Sequence, residues 1–403
     1  MASTTTIAIP IDVVEEILQK IALKSIIRFK CVSKQWKTSI ESHSFIDRHR
    51  MDSSRRRKIL LAFGCRDHGD YSPPFLFPEE EDEDEVKEEE ICYIGNCDAS
   101  RISLTCDGLI CIPGSDSIEV CNPATRVSRR FPTGESLVSN PIFLHKGTGG
   151  IPAESLVHRQ RYLEHEHVPK FPTAAPSSFG FGKDEVTGAY KVVELRAHPR
   201  SSLIVGECNV LDLQTGRWRH VNIVPYKVFA RERSVYVNGS LHWFTVDLWE
   251  PNASRIVAFD LHLEEIRVVS HPNPIYSSDD GGTPYFSELL LLRDRLSVSE
   301  MRTTNVPHPR LDIWSMLDAV KQGWVKMHSL CLCQLYRPRS SETRLFTPLV
   351  ILDDDQGDGG LLIVWDYQES LFMSYPKNFL LNKVSAYARV VASSYFQTLV
   401  PVP

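Results

Sequence analysis

One local pattern recurs along most of the chain and constrains its fold more than any other feature. An apolar pair is followed by Asn or Asp and then by turn-forming residues at Asn122, Asp212, Asp260 and Asp366. Asn and Asp side chains hydrogen-bond to the backbone two residues on, so they favour turns between strands. These four residues are 90, 48 and 106 positions apart, which is near one or two units of about 50. The chain is therefore expected to repeat one strand-turn-strand unit.

A large apolar residue lies six positions after the Asp in three of the four repeats, at Trp218, Ile266 and Phe372. We expect each to pack between neighbouring sheets, and segment 311–324 fills the unit missing from the longest step. Repeats of about 50 residues with a hairpin in each are typical of kelch-type β-propellers. Residues 99–396 are therefore predicted to form an all-β, propeller-like domain.

Two dipeptides support this prediction. Asp107-Gly108 and Asn238-Gly239 are each flanked by apolar residues that alternate as in strands. Asn-Gly and Asp-Gly are strong signals of a two-residue hairpin, because both positions of that turn need positive φ. We expect a tight hairpin at each.

The first 50 residues have helical periodicity instead. Val14, Ile17, Leu18 and Ile21 recur at the spacing of one helix face. Two further short helical patterns follow, with Ser33 as the N-cap of the third. Three short helices bury a very small core, so such a module is expected to lean on a partner or on a neighbouring domain.

This N-terminal segment resembles an F-box. The most specific part is the run RFKCVSKQW at residues 28–36, which follows the plant F-box pattern nearly letter for letter. Ala22 stands where the family usually has proline, and the second helix is expected to survive because alanine favours helix. The resemblance implies docking to a Skp-type adaptor, and through it to a cullin, by Ile9, Pro10, Ile17, Leu18, Ile26, Val32 and Trp36.

The remainder resembles the plant F-box-associated domain over roughly residues 100 to 375. The segments that carry the resemblance are CDGLIC at 106–111, NPATR at 122–126, FGFG at 179–182, YKVV at 190–193, VNGSLHW at 237–243 and IVAFD at 256–260. The expected fold is thus a small N-terminal three-helix F-box over 1–50, a connecting segment over 51–98, and an all-β, kelch-type propeller-like domain over 99–396.

The charge of the chain is unevenly distributed. Residues 79–90 contain ten acidic residues and one lysine, so this run alone exceeds the net charge of −6. Such a run has almost no apolar surface and repels itself, which predicts a disordered loop. The basic cluster Arg55 to Lys58 could be a nuclear address or a nucleic-acid contact, but a run this short favours a solvated surface.

Other features bear on location and chemistry. No apolar run approaches the ~18 residues that cross a bilayer, and the N-terminus lacks a secretory leader. The ten cysteines form no C-x-x-C pair, so they are expected to be reduced and mostly buried. These features predict a cytoplasmic or nuclear protein without a membrane or nucleic-acid partner.

Three clusters contain side chains that can bind metal ions. His158, His165 and His167 lie in a polar stretch typical of a loop. The acidic segment 353–359 lacks the glutamate of a calcium loop, because Val364 stands at that position. Cys331-x-Cys333 lacks a second ligand pair. No hydrolase or P-loop motif is present, so no metal, cofactor or catalytic residue is expected.

The leading hypothesis is a non-catalytic substrate-recognition subunit of an SCF-type ubiquitin ligase. The alternatives are a free-standing kelch-type propeller enzyme and a scaffold or nucleic-acid-binding protein. Target recognition is expected on long connections at one face of the propeller, in 134–176, 271–284 and 337–343. Aromatic and arginine side chains often carry interface energy, which selects Tyr276, Tyr285 and Arg337, although the same polar composition equally suits inert surface loops.

Overall fold

The structure is a computed structural model. It describes residues 9–54, 58–63, 91–95, 104–114, 117–133, 177–198, 201–221, 227–228, 234–246, 254–272, 284–302, 310–318, 321–332, 346–352, 361–366, 370–375, 380–386 and 390–403. The acidic run at 79–90, the histidines at 158–167 and the segment 353–359 lie outside these ranges.

Four helices form the N-terminal module, one more than the three expected. They are α1 (Ile11–Gln19), α2 (Leu23–Phe29), α3 (Lys34–Ile40) and α4 (His43–Ser53). Helix α4 was not predicted from the sequence because most of its residues are polar. Its buried residues are Phe45 and His49, which lie one turn apart on one face. Ser33 caps α3 as predicted, and Ser42 caps α4 in the same way. Helix α2 forms with Ala22 at its N-cap position, so the missing proline does not prevent it.

The rest of the described chain consists of strands. They are β1 (Lys58–Phe63), β2 (Ile91–Gly95), β3 (Leu104–Cys106), β4 (Leu109–Pro113), β5 (Ser117–Asn122), β6 (Val127–Pro132), β7 (Ser177–Lys183), β8 (Tyr190–His198), β9 (Ser201–Asp212), β10 (Arg217–Val221), β11 (Lys227–Val228), β12 (Val235–Val237), β13 (Ser240–Val246), β14 (Ser254–Asp260), β15 (Ile266–Val269), β16 (Pro284–Leu292), β17 (Arg295–Arg302), β18 (Arg310–Asp318), β19 (Gly323–Cys331), β20 (Phe346–Leu352), β21 (Leu361–Asp366), β22 (Ser370–Tyr375), β23 (Leu380–Ala386) and β24 (Val390–Tyr395).

Within these ranges the strands form six sheets in a ring. Five are antiparallel sheets of consecutive strands: the first is β3–β6, the second β7–β10, the third β11–β15, the fourth β16–β19 and the fifth β20–β23. Their innermost strands touch in the cyclic order β3, β7, β12, β16, β20, β24 and back to β3. This closed cycle of sheets is a β-propeller.

The sixth sheet closes the ring with both ends of the chain. Strand β24 pairs antiparallel with β1, and β1 pairs parallel with β2. Strands β1 and β2 come from the segment 51–98, which was expected to be a connection. A strand that follows the helices is therefore joined to the last strand of the propeller.

Both two-residue hairpins form as predicted. Asp107 and Gly108 join β3 to β4 with φ of 51° and 76°, and Asn238 and Gly239 join β12 to β13 with φ of 47° and 76°. Positive φ at both positions is the geometry that matches the twist of paired strands.

The repeat pattern was right in three places and wrong in one. Asn122, Asp212 and Asp260 each end the last but one strand of a sheet and accept backbone N–H groups from the following turn. Asp366 instead ends the second strand of the fifth sheet, because Asp suits any hairpin and its spacing does not identify which. In the fourth sheet the equivalent position is taken by Asp318, which accepts from the Lys321 N–H at 2.9 Å.

Large side chains after these turns lie between sheets, as expected for Trp218 and Ile266. The Trp218 indole N–H donates to the Pro132 carbonyl of the first sheet at 2.9 Å, and Ile266 packs on the core between the second and third sheets. Trp324 repeats the arrangement, donating to the Ser270 carbonyl at 2.9 Å. The Phe372 side chain lies outside what the structure describes.

Candidate functional site

The core of the helical module is small and draws on all four helices. One further member, Leu399, comes from the far end of the chain. The buried members are Val14, Leu18, Leu23, Ile26, Ile40, Phe45 and Leu399. Val14 and Leu18 are four residues apart on α1, so they lie on one face of that helix. This face is occupied within the module.

A second set of apolar side chains remains outside this core. Val13 and Ile17 on α1 are 43% and 52% exposed, Ile9 before the helix is 62% exposed, and Val32 after α2 is 58% exposed. Val13 and Ile17 are also four residues apart, so α1 carries an exposed apolar stripe beside its buried one. Exposed apolar groups that share one helix face mark interaction sites.

The seven residues predicted to contact an adaptor fall into three environments. Ile9, Pro10, Ile17 and Val32 are exposed, and Trp36 is half-buried. Leu18 and Ile26 are buried in the core of the module. Sequence reasoning omitted Val13, although its spacing of four from Ile17 was a usable signal.

In the run at residues 28–36, some side chains pack within the module and others are exposed. Phe29 and Trp36 meet edge to face with ring centroids 5.6 Å apart, which braces α2 against α3. The backbone N–H of Trp36 donates to the Ser33 hydroxyl at 3.1 Å, which starts α3. Cys31 and Val32 are left exposed in the turn between them. The aromatic residues thus position an exposed aliphatic side chain.

Glu15 holds three helices in one arrangement. Its carboxylate accepts from the Ser39 hydroxyl of α3 and from the Arg48 guanidinium of α4. Gln19, one turn further along α1, donates to the Phe45 carbonyl at 3.3 Å. The exposed stripe on α1 is therefore carried by a helix whose orientation is fixed.

Helix α4 faces the first sheet of the propeller. Arg50 donates to the Asp107 carboxylate at 2.9 Å, and the Tyr190 hydroxyl donates to the other oxygen of that carboxylate at 2.9 Å. Burial, together with the Asp107 charge, raises the pKa of Tyr190, so its hydroxyl stays protonated as a donor. Ile46 packs on both the module core and the propeller core.

A largely buried charge cluster of the described propeller has a structural role. The Lys191 ammonium lies 3.2 Å from both the Asp184 and the Glu264 carboxylates, which joins the second sheet to the third. Burial of Asp184 disfavours its charge, but hydrogen bonds from Thr187, Lys191 and Val186 hold its pKa well below the usual range. Each charge is paired, as burial requires. Across the described residues no group of three His, Cys, Asp or Glu side chains could hold a metal ion.

Of the three residues predicted to contact a target, the structure describes the backbone of one. Tyr285 is the second residue of β16, while Tyr276 and Arg337 lie outside the described ranges. The stretches 134–176, 271–284 and 337–343 each fall between the outermost strand of one sheet and the innermost strand of the next. In an antiparallel sheet of four strands, the first strand begins and the last strand ends at the edge opposite the first turn. Asp107 is in such a first turn, so the described strand ends that flank these stretches lie at the edge away from it.

Comparison with known families decides the identity of both parts. A family model described as the F-box domain matches residues 8–48, and one described as the F-box associated beta propeller domain matches residues 78–402. The chain belongs to the F-box proteins with an F-box-associated β-propeller. The helical module described above is its F-box.

Relatives from Arabidopsis thaliana match along nearly the whole chain. The F-box/LRR-repeat protein At2g43260 is 34% identical over 397 residues, which cover 97% of this chain and 82% of the relative. The putative F-box protein At4g17780 is 34% identical and covers 99% and 88%. The F-box/kelch-repeat protein At2g43445 is 31% identical and covers 100% and 85%. Among the described helices of this F-box protein, none is long and apolar enough to span a membrane.

Proposed function

We propose that this F-box protein is the substrate-recognition subunit of an SCF-type ubiquitin ligase. Its F-box docks to a Skp-type adaptor, which links it to a cullin, and its propeller binds a target protein. The chain itself performs no chemistry. It raises the effective concentration of the target beside a ubiquitin-loaded enzyme, which is catalysis by proximity carried out by other subunits.

The observation that carries this proposal is the exposed apolar surface of the F-box, which includes the stripe on α1. Four apolar side chains stay exposed although the module has an apolar core in which such side chains could be buried: Ile9, Val13, Ile17 and Val32. Burial of apolar surface contributes about 25 cal/mol per Å², so a partner that covers these side chains gains affinity. Pro10 and the exposed part of Trp36 extend the same proposed contact.

Leu18 and Ile26 contribute to this docking through the fold of the module. Both are buried, so we place them beneath the contact, where they hold α1 and α2 in position. Replacing either by alanine leaves a cavity and should weaken adaptor binding together with F-box stability. Loss of Ile17 should weaken binding alone.

For the target we propose the propeller side away from Asp107, with Tyr276, Tyr285 and Arg337 as contacts. Long connections between rigid strands commonly carry recognition. On this side a target would not compete with the F-box, which meets the propeller at Asp107. Proximity labelling with Tyr276→Ala, Tyr285→Ala and Arg337→Ala combined should lose specific partners, and an unchanged partner set with an intact fold would place the target elsewhere.

The deciding experiment is co-purification of the full chain with a Skp-type adaptor, followed by calorimetry. Ile9→Ala and Ile17→Ala should each lower adaptor affinity by roughly ten-fold, and Trp36→Ala should lower it further. Val186→Ala is the matched control, because this valine is 72% exposed on a propeller turn far along the chain from the F-box. An adaptor that does not bind the wild-type chain would contradict the proposal.

The same preparation separates the alternative functions. A free-standing propeller enzyme would show bound metal or turnover without the adaptor. A nucleic-acid-binding protein would bind nucleic acid with an affinity that falls steeply with salt. Either result without adaptor binding would replace the proposed function.

A further inference from the structure

The segment that follows the last strand, residues 396–403, belongs to two cores at once. Leu399 is buried in the F-box core beside Leu18 and Ile26. The next residue, Val400, is buried in the core between the first and second sheets, with Leu109 and Val192. Because two adjacent residues are buried in the two different cores, this segment, here called the strap, lies between the two modules.

Asn122 holds the strap by its backbone. Its side-chain amide donates to the carbonyls of Thr398 at 3.1 Å and Val400 at 2.8 Å. Its side-chain oxygen accepts the Ala124 N–H at 3.0 Å, so the residue starts a turn and clamps the strap together. The equivalent turns use Asp212 and Asp260, whose carboxylates accept but do not donate. The strap explains why asparagine stands at this repeat.

Gly108 lets the strap approach. A Cβ atom at this position would lie 2.5 Å from the Phe396 carbonyl oxygen and 2.6 Å from the Thr398 side chain. Gly239 occupies the same position of an equivalent hairpin with the same φ of 76°, but its nearest neighbour, in Glu185, would lie at 3.4 Å. Gly108 therefore serves two purposes, a turn and a close contact with the strap.

Two further contacts complete the junction. The Arg129 guanidinium donates to the backbone oxygens of Pro403 at 2.7 Å and Leu213 at 3.1 Å, which ties the end of the strap to the first and second sheets. Arg50 of α4 reaches Asp107 in the turn before Gly108. Helix α4 and the strap thus both contact the same hairpin of the propeller.

We propose that the strap fixes the F-box and the propeller as one rigid body, with Asn122, Gly108 and Leu399 as positioning residues. Without the strap, the F-box loses a buried leucine from a small core and is held mainly by α4. A rigid junction sets the distance between a target on the propeller and the enzyme that the adaptor brings. That consequence rests on the proposed function, whereas the junction itself does not.

The test is a distance measurement across the junction in the full chain. Cys31 of the F-box and Cys331 of β19 are both exposed and free, so a spin label on each reports the distance between the two modules. Cys65, Cys92, Cys97 and Cys333 are replaced by Ser in all variants. The wild-type distance distribution should be narrow. Asn122→Asp should at least double its width, because a carboxylate would face two carbonyl oxygens, and Asp212→Asn should not change it.

A second pair of variants distinguishes loss of the strap contact from a general folding defect. Gly108→Ala and Gly239→Ala impose the same strain on a hairpin, but only the former displaces the strap. Gly108→Ala should widen the distance distribution and speed amide exchange in α1 to α3 by about ten-fold or more, while Gly239→Ala leaves both near wild type. A distribution that stays narrow in both Asn122→Asp and Gly108→Ala would overturn the proposal. Adaptor affinity, measured in parallel, tests the proposed function independently of that outcome.

Discussion

The F-box and the propeller bury their apolar side chains in different ways. Neighbouring sheets of the described propeller share cores: Leu211 of β9 packs between the first and second sheets, and Val210 packs between the second and third. The F-box has one small core, to which the propeller end of the chain contributes Leu399, and it keeps Val13 and Ile17 exposed. A ring of sheets is closed and self-sufficient, whereas the helical module depends on its neighbour and presents an apolar face.

The largest expected effect tests whether the F-box core is separate from the propeller. Leu18→Ala and Leu211→Ala remove the same side chain from fully buried sites, and each should cost about 3–5 kcal/mol. For Leu18→Ala we expect faster amide exchange in the four helices and unchanged exchange in β12 to β19. Hydrogen exchange read by mass spectrometry checks this. Equal loss of protection in both regions would mean that the two cores unfold as one.

A second prediction concerns the propeller alone and its response to pH. His242 on β13 is buried, and burial lowers its pKa from 6.5 to about 4. The unfolded chain therefore binds a proton at higher pH than the folded chain does, so stability is fully present above pH 6.5 and is lost as the pH falls towards 4. The loss amounts to about 3 kcal/mol.

The control for this prediction is His242→Gln, which cannot titrate. Denaturant unfolding at pH 7, 6, 5 and 4 should give a flatter dependence for the variant than for the wild type. Parallel curves would mean that another group accounts for the acid sensitivity. A change confined to the helices would place that group in the F-box.

The smallest effect is expected for deletion of residues 79–90. The parallel strands β1 and β2 need a connection of about a dozen residues, and 64–78 would still supply one. Ten like charges with almost no apolar surface contribute little to folding, so the free energy of unfolding should change by less than ~0.5 kcal/mol. Thermal unfolding checks this prediction. A large loss of stability would show that the run pairs with a basic surface.

Local chemistry decided what the sequence could predict. The turns at Asp107-Gly108 and Asn238-Gly239 were predictable because their φ values depend on the two residues themselves. The Ser33 cap was predictable as well, because a serine just before a helical pattern can accept a backbone N–H of the first turn. Asp366 shows the limit, since the same turn chemistry fits a hairpin at another position of the sheet.

The remainder depends on contacts between distant parts of the chain. Nothing near Leu399 in the sequence indicates that it completes an N-terminal core. The second role of Asn122 becomes visible only when Thr398 and Val400 lie beside it. For the same reason, spacing alone did not separate the buried Leu18 from the exposed Ile17, which are neighbours on one helix.

One substitution shows whether the exposed stripe on α1 is the docking surface of the F-box. Ile17→Asp places a charge where a partner would have to bury it, while the residue is 52% exposed in the free chain. We expect adaptor affinity measured by calorimetry to fall by at least 100-fold, which is about 2.7 kcal/mol, with a melting temperature within a few degrees of wild type. Val186→Asp on the propeller should bind as the wild type does. Unchanged adaptor affinity in Ile17→Asp would show that the stripe is not that surface.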